Sequence, residues 1–423
     1  MGCPRGATIA SAALLYLAYY LRCCVKDLAV RSPAVGALAA HRMPAYLYRS
    51  NNDTKLLAHL ARAATAGADE PAFLAPACAA GTPSFNALVK ARMARDRRPV
   101  LAALTDKALV KRWAELRGVR TCVESTSVSG TPDSSSLSHI SAMTRPSWLG
   151  RAARNRHRHA IEQASRRWRG GRRDDSARTR RKILISTQVR TPEVLFASKT
   201  CAVPDLGNDA YAFKATHTTG CLVLVEGGRV VGHKPCGERR LAPGSRVTPE
   251  LLAALCARWT RTMYDVTQWA YSKLTPGVVA ERLVYRGDGA TPADDVKCFA
   301  FRGRTALVQH VAHRFDVQSG RPRSARKRDT FHDPRSGRRL PLAVDGQPAG
   351  AGLAPARVRQ AREVCDGLAR GLDFARIDLF DAGASFFLGE VTVYPKRGEH
   401  AFEPRAVDGE LGRAWCRQGN ATR

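Results

Sequence analysis

Two neighbouring strand patterns near the C-terminus carry acidic residues inside apolar runs. The stretch "RIDLFDAGASFFLGEVTVYP" over residues 376–395 alternates in side-chain character on both sides of a glycine-containing turn, which predicts a β-hairpin. Asp378 lies in the first strand and Glu390 in the second. A carboxylate among apolar side chains is costly to bury, so each acid needs a cationic partner or a ligand.

The hairpin register decides whether the two acids meet. A three-residue loop at residues 382–384 would place Asp378 opposite Leu388 and Arg376 opposite Glu390. The two carboxylates are then diagonal neighbours, about 7–8 Å apart at the backbone, and can converge on one cation. Mg²⁺ takes such oxygens and completes its shell with water and phosphates. A simpler interpretation, an Arg376–Glu390 ion pair with Asp378 capping the turn, stays open at this point.

The charge balance points to an acidic partner. The 423 residues are 44% apolar, enough for a sizeable core and two or three subdomains. With 68 basic and 37 acidic residues the net charge is +31, which suits nucleic acid, an anionic membrane, or phosphorylated or uronic-acid substrates. Charge alone does not choose among these, and part of the arginine excess is equally explained by genomic composition.

Cysteine usage and the N-terminus bear on location. The twelve Cys residues are scattered, with no CxxC pair and no zinc-like spacing, which predicts reduced thiols and a cytoplasmic protein. Residues 1–30 form an apolar N-terminal segment, whose run over residues 7–21 follows Arg5 and precedes Arg22. The run is shorter than the ~20 residues that span a bilayer and resembles a signal-peptide core or a weak anchor. Weak membrane association through this segment is therefore also expected.

The chain divides by its periodicity. Residues 31–122 carry apolar side chains at three- and four-residue intervals, which predicts a helical N-terminal subdomain. Residues 123–182 are rich in Ser and Arg and poor in apolar residues, which predicts a disordered insertion. An arm that grips nucleic acid through arginines and Trp168 is the alternative.

The C-terminal part of the chain reads as mixed structure. Residues 183–416 contain short apolar runs broken by Gly or polar turns, which predict strands. Two helical stretches interrupt these strands without a regular βαβ alternation. The pattern predicts an α+β fold with antiparallel sheets, followed by a tail over residues 417–423.

Four charged residues occupy positions that folding does not require. Lys107 begins a helix, Lys214 precedes a small-residue loop ending at Gly220, and Glu281 and Lys297 interrupt apolar strands. Such a loop can offer backbone N–H groups to phosphate while a lysine supplies a point charge. Each lysine alone is also explained as a surface side chain. Together with the two carboxylates they predict a nucleoside triphosphate and its Mg²⁺ between sheets.

Five stretches in order resemble the TupA-like (teichuronopeptide biosynthesis-type) branch of the ATP-grasp superfamily. They lie within residues 82–122 and 200–416. The stretches are "TPSFNALVKARMARDRRPVLAALTDKALVKRWAELRGV", "VPDLGNDAYAFKATHTTGCLVLV", "RWTRTMYDVTQWAYSKLTPGVVAERLV", "DDVKCFAFRGRTALVQHVAHRF" and "FARIDLFDAGASFFLGEVTVYPKRG". The family often has Asn where this chain has Thr392, although this branch often shows Thr, and the Arg-rich insertion is foreign to the family pattern.

The resemblance implies an ATP-grasp fold, in which two antiparallel-sheet subdomains clasp ATP, with Mg²⁺ as the second cofactor. The implied nucleotide contacts, including a loop over the phosphates and an adenine hinge, are Lys107, Lys214, His217, Thr218, Thr219, Gly220, Glu281, Arg282, Leu283 and Lys297. The implied metal ligands are Asp378, Glu390 and Thr392. The implied catalytic cations are Lys214, Lys297 and Arg376.

The activity implied by the resemblance is ATP- and Mg²⁺-dependent ligation of a carboxylate to an amine or amino acid through an acylphosphate. The branch name implies a uronic-acid-containing or other acidic polysaccharide, or its precursor, as the partner. Candidate residues for gripping this substrate are Arg314, Lys327, Arg328, Lys396 and Arg397. An ATP-grasp sugar kinase and a non-catalytic basic protein that binds nucleic acid or lipid are the alternatives. The two intact acids argue against the latter, so a nucleic-acid partner is not expected.

Overall fold

Two β-sheets and a group of helices make up the part of the chain that the structure describes. This computed structural model describes residues 51–66, 69–81, 83–117, 119, 189–262, 267–289, 291–312, 315–316, 321–322, 328–347 and 350–417. All of them belong to one compact unit. The N-terminal segment 1–30 and the predicted insertion at 123–182 lie outside the described residues.

The helices begin where the sequence supplies caps. Ser84 accepts a hydrogen bond from the Ala87 N–H, and Thr248 accepts one from Leu251 N–H, so each side chain satisfies an otherwise unpaired donor at a helix start. The helices are α1 (Asn51–Ala66), α2 (Leu74–Ala79), α3 (Phe85–Arg95), α4 (Pro99–Thr105), α5 (Leu109–Leu116), α6 (Pro249–Trp259), α7 (Trp269–Ser272), α8 (Pro355–Ala369) and α9 (Ala406–Cys416). Among these helices, none has the length and apolar composition that crossing a membrane requires.

The strands follow the short apolar runs. They are β1 (Val189–Arg190), β2 (Val194–Ser198), β3 (Tyr211–Ala215), β4 (Leu222–Glu226), β5 (Arg229–Lys234), β6 (Val278–Arg282), β7 (Asp294–Phe301), β8 (Arg304–Ala312), β9 (Phe315–Asp316), β10 (Arg321–Pro322), β11 (Arg328–His332), β12 (Arg339–Leu340), β13 (Ala343–Val344), β14 (Phe374–Asp381), β15 (Phe386–Thr392) and β16 (Phe402–Glu403). A short 3₁₀ turn, Pro395–Gly398, follows β15.

The strands assemble into two main sheets, one five-stranded and one seven-stranded, and two two-stranded pairs, β10-β9 and β13-β16. The smaller has the order β2-β6-β3-β4-β5 and is antiparallel throughout. The larger has the order β1-β15-β14-β7-β8-β11-β12, and within it only the two-residue β1 pairs in parallel. The predicted α+β class with antiparallel sheets and an N-terminal helical region is confirmed.

Each sheet has its own apolar core. The seven-stranded sheet packs against α8 on one side and against the N-terminal helices, with Phe85 and Trp415 fully buried between them. The five-stranded sheet packs against α6 through Phe213, Trp259 and their neighbours. Because each sheet has a separate core, the walls of the cleft between the sheets can carry polar side chains.

A buried ion-pair network fixes the helical region to the larger sheet. Arg92 on α3, which is 0% exposed, pairs with Asp373 just before β14. Arg98 donates to the same carboxylate at 2.8 Å, and the indole N–H of Trp415 also donates to it, at 3.0 Å. Burial opposes ionisation of Asp373, but the two guanidinium groups outweigh it and hold its pKa below the usual range.

The cysteine prediction requires a correction. The structure joins eight of the twelve cysteines in four disulfides: Cys78–Cys416, Cys201–Cys256, Cys221–Cys236 and Cys298–Cys365. The predicted reduced thiols are therefore wrong for these eight residues. The partners are 15 to 338 residues apart along the chain, so only the tertiary fold brings them together and their spacing gave no motif.

The Asp373 network leads to a stability prediction. Replacing Asp373 by Asn leaves Arg92 buried beside a neutral group, and we expect the free energy of unfolding in urea to fall by about 3–5 kcal/mol. A carboxylate with a depressed pKa stabilises the fold above its unfolded pKa of about 3.9 and loses this as pH falls. The difference between parent and variant should therefore shrink below about pH 4.

The matched control is the surface pair between Arg302 and Glu70, whose carboxylate side chain is 49% exposed. Glu70→Gln should cost at most about 1 kcal/mol, since solvent screens an exposed pair. Equal, small losses of unfolding free energy in both variants would show that the buried network stabilises the fold no more than an exposed ion pair.

Candidate functional site

A cleft of about 250 Å³ lies between the two sheets. Strands β3, β4, β5 and β6 of the smaller sheet form one wall, and β7, β14 and β15 of the larger sheet form the other. Its lining includes the apolar side chains Leu224, Val284, Ala293 and Phe380. It also includes charged residues that the sequence analysis singles out, namely Lys107, Lys214, Glu281, Asp378 and Glu390.

The acidic hairpin has a different register from the predicted one. Asp378 pairs directly with Glu390, and Arg376 pairs with Thr392, because a bulge interrupts the ladder before Leu379 pairs with Leu388. The extra residue in the bulge is Gly389. A Cβ at this position would lie 3.0 Å from the Phe380 ring and 3.2 Å from the Asp378 carbonyl oxygen, so the position has little room for a side chain. The bulge brings the two carboxylates closer than the predicted diagonal arrangement.

Asp378 is neutralised by two cations within the protein. It is 4% exposed and accepts from Arg376 Nε at 2.7 Å and from Lys297 Nζ at 2.7 Å. Lys297 also contacts Asp295 at 3.1 Å. Burial raises the cost of the Asp378 charge, but Arg376 and Lys297 outweigh this and hold its pKa well below the usual range. The carboxylate is therefore ionised at neutral pH.

The donor set at the hairpin fits a hard divalent cation. Glu390 has a side chain that is 34% exposed and lies 3.9 Å from Arg376, while the Thr392 hydroxyl accepts from Arg376 at 3.1 Å. Two carboxylates and a hydroxyl on one hairpin are oxygen donors of the kind that Mg²⁺ prefers, and Mg²⁺ completes its shell with water and phosphate. In the described ranges, no three or more His, Cys, Asp or Glu side chains are grouped so that they could hold a metal ion by themselves.

Two lysines converge on the loop between β3 and β4. Lys107 lies in the turn between α4 and α5, and its ammonium donates to the carbonyl oxygens of Ala215, at 3.0 Å, and Thr218. Lys214, on β3, is paired with Glu281 on β6. Both lysines and the loop residues Thr219 and Gly220 line the cleft.

The first half of the loop faces the core. His217 is 4% exposed, its Nε2 lies 3.1 Å from the Trp259 carbonyl oxygen, and its Nδ1 lies 3.4 Å from the Gly277 N–H. Burial, reinforced by the charge on Lys107, lowers the pKa of His217. Thr218 is likewise buried. Of the four loop residues named from the sequence, Thr219 and Gly220 face the cleft. His217 and Thr218 are buried, and His217 attaches the loop to the core.

The predicted hinge has one inward and one outward side chain. Glu281 is 1% exposed and turns towards the lysines. Arg282 turns outward to Glu193 at 2.7 Å and Asp209 at 3.0 Å. The Leu283 N–H donates to the Ala210 carbonyl at 2.9 Å, and Leu283 belongs to the cleft lining.

Lys111 is a site residue that the sequence analysis missed. It lies on α5, is 5% exposed, and donates to the Leu388 and Gly389 carbonyl oxygens at 2.8 and 2.9 Å. Its Nζ also lies 3.2 Å from Glu281 Oε1. The available signal was its spacing: Lys111 follows Lys107 by four residues in a stretch with a helical pattern, and a helix would place both on one face.

A second cavity adjoins the first at Thr219 and Glu390. Its lining includes Arg376, Lys396 and Arg397. Lys396 and Arg397 have φ angles of 46° and 56°, a left-handed backbone that costs non-glycine residues energy and is enriched at functional sites. The cavity therefore offers cationic groups beside the two carboxylates.

The remaining predicted substrate contacts are not brought to these cavities. Arg328 is exposed at the start of β11 and lines neither cavity. Arg314 and Lys327 lie outside the described residues.

Comparisons with known proteins give distant similarities only. No family model matches the chain, and no curated protein matches it. Among solved structures, it is similar to the D-alanine–D-alanine ligase of Bacillus anthracis complexed with ATP, at 12% identity over 48% of this chain and 50% of that chain, TM-score 0.26. It is also similar to the ATP-grasp ligase PsnB with minimal precursor, Mg and ADP, at 12% identity over 53% and 52% of the two chains, TM-score 0.23.

A further similar structure is the macrocyclase MdnC bound with precursor peptide MdnA from Microcystis aeruginosa MRC, at 12% identity over 59% of this chain and 67% of that chain, TM-score 0.23. The chain spans about half the length of the first two structures. At this level of similarity, none of the three assigns a family or an activity to the chain.

The environment of Lys107 generates a prediction for its titration. Burial lowers the pKa of Lys107 to about 8, with Glu390 opposing the shift and Lys214 reinforcing it. Competitive labelling of lysine amines with acetic anhydride, followed by mass spectrometry across pH, should give a midpoint near 8 for Lys107. An unperturbed lysine would give a midpoint near about 10.4.

Glu390→Gln should lower the midpoint further, because it removes the carboxylate that favours the ammonium form. Glu363→Gln, at an exposed acid on α8, serves as the control and should leave the midpoint unchanged. A Lys107 midpoint at the unperturbed value would contradict the burial of this ammonium group.

Proposed function

We propose that this chain is an ATP-grasp enzyme, an ATP- and Mg²⁺-dependent ligase that joins a carboxylate to an amine. One observation carries the proposal: Lys107, Lys214 and the hairpin acids Asp378 and Glu390, from three separate parts of the sequence, line one cleft between the two sheets. A triphosphate needs cations, and its metal needs carboxylates, at the same place.

The shape of the cleft supports a definite orientation of ATP. The phosphates lie at the loop end, beside Thr219, Gly220, Lys107 and Lys214. β4 leads from this loop to Glu226, a distance of about 13 Å at strand rise, and the apolar linings near that end suit the adenine ring. Backbone groups of residues 281–283 flank the base, and the outward Arg282 acts only through its main chain.

The hairpin carboxylates Asp378 and Glu390, with Thr392, would hold Mg²⁺. When bound, the metal would supply positive charge that offsets the charge of the phosphates. In the ligand-free protein Lys297 and Arg376 provide this neutralisation for Asp378. In the nucleotide complex, Lys297 and Arg376 would be available to contact phosphate oxygens.

The reaction proceeds in two steps. A substrate carboxylate oxygen attacks the γ-phosphorus, the bond to the β,γ-bridging oxygen breaks, and ADP leaves an acylphosphate. An amine then attacks the acyl carbon, phosphate departs, and the amine loses a proton to form the amide. Lys214, Lys297 and Arg376 stabilise the charge that develops on the phosphoryl oxygens, since positioned cations in a buried cleft need no reorganisation.

The cavity lined by Arg376, Lys396 and Arg397 is the proposed carboxylate pocket. It shares Glu390 with the nucleotide cleft, so a carboxylate held there lies next to the proposed metal. The net charge of +31 supports a polyanionic acceptor, and a uronic-acid-containing polysaccharide or its precursor is the acceptor that we propose.

The test is a thermal-shift titration of the oxidised protein with ATP and MgCl₂. We expect stabilisation by a few degrees that requires both components, because a ligand that binds only the folded state at 100 times its Kd contributes about 2.7 kcal/mol. Asp378→Asn combined with Glu390→Gln should abolish the Mg²⁺-dependent part. The control, Asp381→Asn, alters the same hairpin at an acid that pairs with Arg357 instead and should retain it.

Stabilisation that ignores Mg²⁺, or that survives in the double variant, would contradict the metal site. Product analysis then identifies the reaction. A ligase releases ADP and phosphate only when a carboxylate and an amine are both present, whereas a sugar kinase releases ADP without phosphate. Screening should begin with glucuronic acid oligomers and amino acids.

A further inference from the structure

The ammonium group of Lys111 is surrounded by acceptors on both sheets. It contacts two carbonyl oxygens of β15, at Leu388 and Gly389, and the Glu281 carboxylate of β6. The two carbonyl contacts are hydrogen bonds, and Glu281 adds an ion pair at 3.2 Å. Burial lowers the pKa of Lys111, and Glu281 partly offsets this by favouring the charged form.

Glu281 is shared between two lysines. Its Oε1 faces Lys111 at 3.2 Å and its Oε2 accepts from Lys214. Burial disfavours the Glu281 charge, but the two ammonium groups outweigh it and hold its pKa below the usual range. One buried carboxylate thus has two counter-ions, of which only Lys214 lines the cleft.

We propose that Lys111 is a positioning residue that keeps Glu281 neutralised when the Lys214 ammonium group leaves Glu281 and contacts the nucleotide phosphates. This inference rests on the proposed function, since it requires a phosphate for Lys214 to reach. With Lys111 in place, Lys214 can leave Glu281 without stranding a buried carboxylate. Without Lys111, the same movement isolates the Glu281 charge, which is strongly unfavourable in a buried site.

A direct role for Lys111 at the phosphates does not fit its surroundings. Its side chain is 6% exposed and it is not among the residues that line either cavity. A purely structural role, through the Leu388 and Gly389 carbonyls, is the other explanation. The two roles differ in what happens when Glu281 loses its charge.

The test is a double-variant cycle with MgATP binding measured by isothermal titration calorimetry. Lys111→Met should weaken MgATP binding by about tenfold or more, because Lys214 is then retained by Glu281. Adding Glu281→Gln should restore most of the affinity, because a neutral amide does not need a counter-ion and releases Lys214. Glu281→Gln alone supplies the reference affinity against which the double variant is compared.

Arg112→Met is the matched control, since Arg112 lies on the same helix and pairs with Glu115, not with a cleft residue. It should bind MgATP like the parent. Thermal unfolding of every variant without ligand confirms that it is folded.

The outcomes separate the two proposals. A parent that binds MgATP and a Lys111→Met variant that binds equally well would overturn the role of Lys111 alone. A loss in Lys111→Met that Glu281→Gln does not restore would also overturn it, in favour of a structural brace. A parent that fails to bind MgATP would overturn the proposed function and this inference together.

The four disulfides carry a second, independent inference. Cys298 and Cys365 are each 0% exposed and join β7 to α8 inside the larger core. Cys78–Cys416 joins α2 to the end of α9, which are separated by 338 residues. Disulfides of this number form and persist in oxidising compartments.

We infer that the chain matures in an oxidising compartment and that the Cys221–Cys236 bond fixes the loop between β3 and β4. Cys221 directly follows the loop residue Gly220 and lines the cleft. Lys234 packs so closely on Gly220 that an added Cβ would lie 3.3 Å from Lys234 Cε. The Cys221–Cys236 disulfide therefore links the end of this loop to the residues just after β5. Residues 7–21, with the length of a signal-peptide core, fit the same compartment.

Disulfide mapping by mass spectrometry, on protein expressed through a secretory pathway, should recover all four pairs. Hydrogen exchange should then be compared between the Cys221→Ser/Cys236→Ser variant and the Cys78→Ser/Cys416→Ser control. We expect amides of residues 216–222 to exchange at least about tenfold faster in the first variant only, because the loop loses its covalent tie. Free thiols at these eight positions in the folded protein, or unchanged loop exchange, would overturn the inference.

Discussion

The buried Lys111 ammonium is the interaction on which the geometry of the cleft depends. It binds β15 of one sheet through two backbone carbonyls and β6 of the other through Glu281. Because α5 supplies it, the helical region, the acidic hairpin and the wall that carries Lys214 meet at one nitrogen. A charged group without water must keep all its acceptors, so the three parts are held at fixed distances.

Charge balance explains the rest of the site. The cleft pairs each buried carboxylate with lysine or arginine: Asp378 with Lys297 and Arg376, and Glu281 with Lys111 and Lys214. The cations are thus held in place before any ligand arrives, at a cost that the carboxylates offset. Under the proposed function, a triphosphate would meet cations that are already positioned and need little reorganisation.

Part of this could be predicted from the sequence. The period-2 runs and capped helices determine the α+β class, because local side-chain periodicity reflects which face of each element is buried. Charged residues inside apolar strands, such as Asp378, Glu281 and Lys297, indicate a site, because burial of a charge demands a partner wherever the strand lies. These inferences depend only on neighbours along the chain, so they can be made without the tertiary structure.

The tertiary structure decided what depends on distant contacts. The bulge at Gly389 sets Asp378 opposite Glu390. Phe380 and the Asp378 carbonyl leave little room for a side chain at Gly389, and no hairpin pattern encodes these contacts. The disulfide pairs and the place of Lys111 likewise arise from segments that are far apart in sequence. The sequence by itself determined which residues must find partners. The packing of two sheets and a helix determined which residues those partners are, because close packing selects one arrangement among many of equal local propensity.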